Sequence, residues 1–392
     1  MLGEGIMNFD EGDLISEIRS TLERFVQKEM PRERAAEWDA ANSFPRDVFA
    51  KLAGLGMFGL TVPEEYGGAG RNILATMVVI EELSRRSLAV SVPYIMATCY
   101  AGMNLVECGS EEQKRELLPK VADGRFMFAY GLTEPDVGAD LASVKTRAER
   151  DGDIVRINGA KRFCSGAGIA DYIYTLVRSG PEADRYRNLT LVMVPRTAEG
   201  VSITPIKAMG MKGAATTDVA FTDVEVPIAN VMGGAAGWNN GWSMLAGPGL
   251  DVEKLEVAAI SIGIARAALD DAWDYARERQ QFGQPIANFQ SIQHKLAEMQ
   301  TRIHAAKLTV YQAAWLADQH RPCATESSMA KLFATEVCKY CATESQSVLG
   351  AYGYVSDFSV ERYVRDALLM PIIGGSSAVQ LNNIFKMSNK NR

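Results

Sequence analysis

The sequence is short of the features that mark several function classes. It has three histidines and six scattered cysteines in 392 residues. The one close cysteine pair, Cys338 and Cys341 in "FATEVCKYCATES", falls inside a helical pattern with no second pair or histidine cluster beside it. That excludes a metal site of the zinc type and leaves the cysteines as packing residues. No long basic run occurs and the formal net charge is -7, so nucleic acid is not expected as a partner. No uninterrupted apolar stretch approaches the roughly 20 residues of a membrane span. The acidic start "MLGEGIMNFDEGDL" lacks the basic and apolar regions of a secretory signal, so a cytoplasmic chain with no membrane partner is expected. On that expectation the glycosylation pattern Asn188-Leu189-Thr190 is idle. No G-x-G-x-x-G follows a strand pattern, which excludes a Rossmann nicotinamide site. Internal repeats and low-complexity linkers are absent too.

What is present is a chain that is 47% apolar and 23% charged, too long for one core, and so expected to form two or three domains. Up to about residue 120 the apolar spacing is helical. In "DLISEIRSTLERFVQKEM", Leu14, Ile18, Leu22 and Phe25 fall three or four apart before Pro31 ends the run. From about 125 to 235 the period becomes two in "DIVRING", "YIYTLVRS", "NLTLVMVP", "VSITPI" and "DVAFTDVEV". The helical period then returns, with Leu255, Ala259, Ile262, Ala265, Leu269 and Trp273 on one stripe, and further amphipathic stretches at about 286–319, 326–349 and 357–369. The expected fold is α+β: an N-terminal helical domain (1–124), a small middle β domain (125–238) and a C-terminal domain of four-helix-bundle type (239–392).

Three stretches carry chemistry. "FAYGLTEPDVGAD" (128–140) reads by itself as a polar loop with turn residues. "KRFCSGAGIADYI" places an aromatic residue and a hydroxyl two apart at a strand end. In "YARERQQFGQPIANFQSIQHKLAEM" one helix breaks at Gly283-Gln284-Pro285 and another begins. In this order and spacing, together with "SQSVLGAYGYVSDFSVERYVRDALLMPIIGGSSAVQ", they resemble the acyl-CoA dehydrogenase family over nearly the whole chain.

The resemblance implies an oxidoreductase with FAD as cofactor, which oxidises the α,β bond of an acyl-CoA to the 2-enoyl-CoA. A carboxylate takes the α-proton while hydride passes to flavin N5. It also implies electron-transfer flavoprotein as acceptor and a homotetramer built as a dimer of dimers. Carried onto this sequence, Tyr130, Leu132, Thr133, Gly138 and Ala139 border the flavin, Phe163 matches the aromatic residue against it and Ser165 the hydroxyl near N5. Arg279, Phe282, Gln290, Gln346 and Gly350 match positions that hold the FAD pyrophosphate and adenosine from a neighbouring subunit, and Ser376 is a further cofactor position. A fixed guanidinium suits a pyrophosphate. Asp251, Lys254 and Gly375 fall at substrate positions.

The departures from the family pattern are as informative. Ala139 replaces the hydroxyl usually found before Asp140, and Val137 enlarges a position that is usually small. Gly374 stands where the commonest catalytic base, an acid, is expected. In the isovaleryl-CoA and long-chain branches the base lies instead at the start of the C-terminal domain, and "GLDVEKL" (249–255) places Glu253 there. The bland alternative for Glu253 is a helix-first-turn acid favoured by the macrodipole. The backbone N–H at Gly374 remains able to hold the thioester carbonyl. The expected substrates are short, branched or otherwise non-linear acyl groups of fatty-acid or branched-acyl metabolism, with Tyr94, Met96 and Tyr100 as pocket candidates. Rival readings are a same-fold enoyl-CoA reductase, a desulfinase-like flavoprotein lyase and a non-catalytic flavin-binding homologue.

Overall fold

The computed structural model describes residues 12–246 and 248–390. The N-terminal eleven residues, read above as lacking a secretory signal, lie outside the described part. Helices α1 (Gly12–Glu29), α2 (Arg32–Ala41), α3 (Arg46–Ala53), α4 (Ile73–Ser84), α5 (Leu88–Ile95), α6 (Asn104–Cys108) and α7 (Glu111–Ala122) build the first domain. The stripe anticipated in α1 is buried at Ile18, Leu22 and Phe25, whereas Leu14 is exposed. Between α5 and α6, Met96–Met103 continues as helix in the wider π form. The continuous run Leu88–Cys108 is long and apolar enough to cross a membrane by length and composition. The sequence reading missed it because Ser91, Thr98 and Asn104 interrupt the apolar residues, and all three are buried. Most of the run is packed inside the protein, where it serves as a core helix.

The middle domain is a seven-stranded sheet of β1 (Phe128–Gly131), β2 (Arg147–Asp151), β3 (Ile154–Lys161), β4 (Tyr172–Arg178), β5 (Leu189–Pro195), β6 (Val201–Pro205) and β7 (Thr217–Pro227). The order is β1-β4-β2-β3-β7-β6, with β5 also on β4. Five strands coincide with the period-two segments. β1 lies at the start of "FAYGLTEPDVGAD", which by sequence reads as a loop, and β2 is too polar to show alternation, with Ala148 its one buried residue. Both are drawn in by tertiary pairing: β1 runs parallel to β4, and β2 is antiparallel to β3.

The last domain holds α8 (Gly241–Leu245), α9 (Pro248–Glu278), α10 (Gln290–Asp318), α11 (Ala324–Leu349), α12 (Val360–Ala367) and α13 (Ser377–Lys390). α9 is buried well beyond its predicted stripe, at Val257, Ala258, Ile260, Ile264 and Ala268 as well, because it packs against α4, α10, α11 and α12. A helix surrounded this way is apolar nearly all round. The first and last domains are joined by a buried charge cluster. Arg266 of α9 donates to Glu81 and Glu82 of α4, both at 2.5 Å, and Arg19 of α1 also donates to Glu82.

Candidate active site

The site begins at the loop that follows β1. Glu134 is buried there and its carboxylate accepts from Lys161 Nζ (2.8 Å) and from the N–H groups of Lys145 (2.7 Å) and Thr146 (2.9 Å). Burial pulls Lys161 down to about 8 against the attraction of Glu134. Burial opposes ionisation of Glu134 as well, yet Lys161 and the two amides outweigh it and hold the carboxyl below its ordinary range. This ion pair, which the sequence reading did not single out, fixes the loop from beneath. Its one sequence signal is a lysine at an inward position of β3. Above it, Arg162 N–H donates to the Thr133 carbonyl at 2.8 Å, so "GLT" lies beside the next loop. Leu132 and Thr133 are half-buried, and Gly138 and Ala139 are exposed. Val137 is buried and closes a tight turn back onto Glu134. Asp140 is engaged by Ser143 and Arg185.

In the neighbouring loop Phe163 has φ 60° and is 57% exposed. A bulky side chain held in the left-handed region at a surface is an outlier that points to a task. The backbone is pinned on either side, Cys164 N–H to Thr217 O and Gly166 N–H to Ala215 O. Ser165 Oγ lies 3.4 Å from Thr216 Oγ1. Gly166 has φ 74°, and a Cβ there would stand 2.3 Å from Met96 Cε, so the π-form segment packs directly under this loop. In that segment Tyr100 stacks on Tyr130 with ring centroids 3.8 Å apart. The Tyr130 hydroxyl accepts from Asn104 at 2.7 Å. Tyr94 is core: it is fully buried and donates to Met57 O.

Behind the stacked tyrosines lie the first turns of α9. Lys254 donates to Asp251 at 2.8 Å, with Ser327 of α11 near the same oxygen. Glu253 is half-buried, and burial pushes its carboxyl up to about 7 while Lys254 and Lys331 pull it down. Lys331 is fully buried on α11 and donates to Gly375 O at 2.8 Å. Gly374 and Gly375 form a turn with φ 59° and 78°, and Gln380 Nε2 donates to both their carbonyls. Among the described residues, neither glycine N–H donates to any acceptor. Ser376 Oγ accepts from Val379 N–H. A Cβ on Gly374 would lie 3.0 Å from Val257 Cγ2, one turn past Glu253 on α9. The two answers to the missing acid are therefore neighbours in space. Lys331, absent from the sequence reading, joins them.

The remaining predicted residues lie elsewhere. Arg279 follows the end of α9, roughly 40 Å from Glu253 at 1.5 Å per residue. It lies over the Tyr352 ring at 5.9 Å. Phe282, at φ 51° in the hairpin after it, is 94% exposed. Gln290 opens α10 and is exposed, Gln346 reaches Gly353 O at 3.5 Å, and Gly350 ends α11 at φ 61°. Within one chain these five residues form a second cluster, apart from the loops of the sheet.

The chain matches the acyl-CoA dehydrogenase N-terminal domain over residues 14–125, the middle domain over 129–224 and the C-terminal domain over 239–388. It belongs to the acyl-CoA dehydrogenase family of oxidoreductases, whose members are FAD flavoproteins. Among its relatives is a probable acyl-CoA dehydrogenase, YngJ of Bacillus subtilis, 36% identical over 95% of this chain and 97% of that one. Subunit CarC of the caffeyl-CoA reductase-Etf complex of Acetobacterium woodii is 37% identical over 93% and 95%. A solved glutaryl-coenzyme A dehydrogenase in complex with glutaryl-CoA superposes with a TM-score of 0.93 at 32% identity over 98% of each chain.

The donor set fits FAD. It offers the exposed Phe163 ring, the Thr133 and Ser165 hydroxyls and, past the end of α9, the exposed Arg279 guanidinium for a diphosphate.

Proposed function

We propose that this chain is an acyl-CoA dehydrogenase in which Glu253 is the base. The observation that carries the reading is the pairing of a half-buried carboxyl, poised at about 7, with an adjoining turn whose two glycine N–H groups are unengaged. A base is most effective when its pKa lies near the working pH. The Gly374 N–H holds the thioester carbonyl, and the Gly375 N–H adds a second donor as enolate-like charge builds while Glu253 removes the α-proton. Lys331 orients the turn through Gly375 O and keeps Glu253 sufficiently ionised. Asp251 and Lys254, paired at the outer end of α9, meet the CoA portion. Tyr130, Leu132, Thr133, Phe163 and Ser165 hold the flavin ring, with Gly138, Ala139 and Ser376 at its margin. Bound FAD supplies the acceptor for the β-hydride.

Arg279, Phe282, Gln290, Gln346 and Gly350 act on the flavin of a neighbouring subunit, because one α9 cannot bring its two ends together. Phe282 at 94% exposure and Tyr354 at 81% are surfaces that a partner would cover. A homotetramer, a dimer of dimers, satisfies both. Electron-transfer flavoprotein is the proposed acceptor, in keeping with the complex named for the A. woodii relative. That relative is a reductase, and the same residues run the reaction in either direction. The test is anaerobic titration of the yellow protein with an acyl-CoA panel. Stoichiometric flavin bleaching with enoyl-CoA product is expected. Bleaching without enoyl-CoA, or reoxidation only by enoyl-CoA, would move the assignment to a lyase or a reductase.

A further inference from the structure

Glu256 has no task in the mechanism above. It follows Glu253 by one turn of α9, it is 3% exposed, and its Oε2 is buried without a hydrogen-bond partner. A buried polar atom in that state is costly, and where one persists its partner commonly comes from outside the chain. Among the described residues none reaches Oε2. The Cys99 thiol donates to the carboxyl and leaves Oε2 without a partner, the Tyr130 hydroxyl accepts from Asn104, and the nearest charge is Glu253.

Asp251 and Glu253 are half-buried and Glu256 is buried, so on this face the helix passes from the rim of the site into the core. Three residues advance about 4.5 Å. An acyl chain whose α-carbon meets Glu253 therefore passes Glu256 two to four bonds further on, against the Tyr100–Tyr130 stack. Beside a second carboxyl and away from water, Glu256 is the neutral acid, able to donate from one oxygen and accept at the other. A plain hydrocarbon leaves Oε2 unpaired, an anionic substituent is repelled by the ionised base, and a cation requires two adjacent carboxylates to ionise together.

We propose that the acyl group this enzyme takes carries a neutral polar oxygen, as carbonyl, hydroxyl or ether, two to four bonds beyond its α-carbon, and that Glu256 pairs with it. The proposal rests on the reading of Glu253 as base, and its test separates the two. Binding of 4-methylpentanoyl-CoA, its near-isostere 4-oxopentanoyl-CoA and 4-trimethylammoniobutanoyl-CoA is measured by calorimetry on the FAD-loaded Glu253→Gln protein, which does not turn over. Flavin reduction by the same thioesters is followed in the parent.

The 4-oxo compound should bind about tenfold tighter than the 4-methyl compound, the effect of one satisfied buried hydrogen bond. Added Glu256→Gln should keep that preference and Glu256→Val should reverse it. The comparison is made within each protein, so a general loss of stability cancels. Equal or better binding of the 4-methyl compound, a preference unchanged by Glu256→Val, or tightest binding of the ammonium compound would each overturn the proposal. If no thioester reduces the parent's flavin while the calorimetric preference follows Glu256, the dehydrogenase reading fails and this one stands.

Discussion

The two ends of α9 solve opposite problems. Its first turns bury charge: the half-buried Glu253, the buried Glu256 and, across on α11, the buried Lys331 border an apolar core that raises the acids and lowers the lysine. Its last turn displays charge, with Arg279 and the Phe282 hairpin exposed to solvent. Low dielectric at one end makes single charges decisive, whereas the other end acquires its dielectric only when something covers it. The buried end is complete within one chain. On the proposed assembly the exposed end is half a site, and its energetics belong to that assembly.

The sharpest way to break this contrast is at the buried end. Glu253→Gln keeps shape and hydrogen bonding but removes the proton acceptor. Flavin reduction under stopped flow should slow by at least the roughly 10²–10⁴-fold attributed to a positioned base, with acyl-CoA affinity little changed. A variant that reduces its flavin at the parent's rate would return Glu253 to the role of a helix-start acid.

At the exposed end the effect should be smaller and should appear in binding. On the proposed shared site, Arg279→Ala removes charge-assisted hydrogen bonds to a diphosphate, about 1.5–3 kcal/mol, or roughly ten- to hundredfold in FAD affinity. Sedimentation should show weaker assembly at low FAD. A monomer that keeps FAD as tightly as the parent would contradict the shared site.

Placing Gly374→Glu on the Glu253→Gln background tests whether the two acid positions are interchangeable. The turn has φ 59°, and a Cβ would press on Val257 at 3.0 Å. A left-handed glutamate costs about 1–2 kcal/mol before any repacking. Recovery of about tenfold in flavin reduction is expected, well short of the parent. Glu253→Gln/Gly374→Ala, which shares the backbone strain without the acid, should recover nothing.

The same contrast explains what could be read from the amino-acid order. The helical and strand segments were legible because their periods are local, and the missing acid at Gly374 was visible as a break in pattern. Glu256 and Lys331 were not. In sequence each looks like a polar residue on an amphipathic helix, and only the packing of α4, α10 and α11 around α9 buries it. Glu134 and Lys161 were hidden for a related reason, since their pairing spans 27 residues across a strand and a loop. β1 is four residues long and is held by pairing with β4, which no local period records.

Lys331 supplies a finer test of the buried end. Its cation lowers the Glu253 pKa, so Lys331→Met should raise it above about 7. The rising limb of flavin reduction against pH should move to higher pH by less than about one unit. The plateau rate should also fall modestly as Gly375 O loses its donor, with Gln380 still holding the turn. A profile that keeps its midpoint while the plateau falls would make Lys331 a brace for the turn and nothing more.

The smallest effect is one of stability, and its sign is fixed by linkage. Glu253 ionises near 4.5 when unfolded and near 7 when folded. Below 4.5 both states are protonated and the residue costs nothing. Between the two values the folded state holds a proton that the unfolded state has released, so stability falls as pH rises from 4.5 through 7 and then levels off. Glutamine has no such loss. The melting temperature of Glu253→Gln relative to the parent, at saturating FAD, should therefore climb between pH 5 and pH 8. Because Glu253 is half-buried and water screens part of the penalty, the climb should be on the order of 1–2 °C. Arg279→Ala, measured alongside, keeps the Glu253 carboxyl and serves as the control for a loss of stability that does not come from it. A flat difference for Glu253→Gln would mean that its carboxyl is solvated in the resting enzyme, and that only bound substrate raises it.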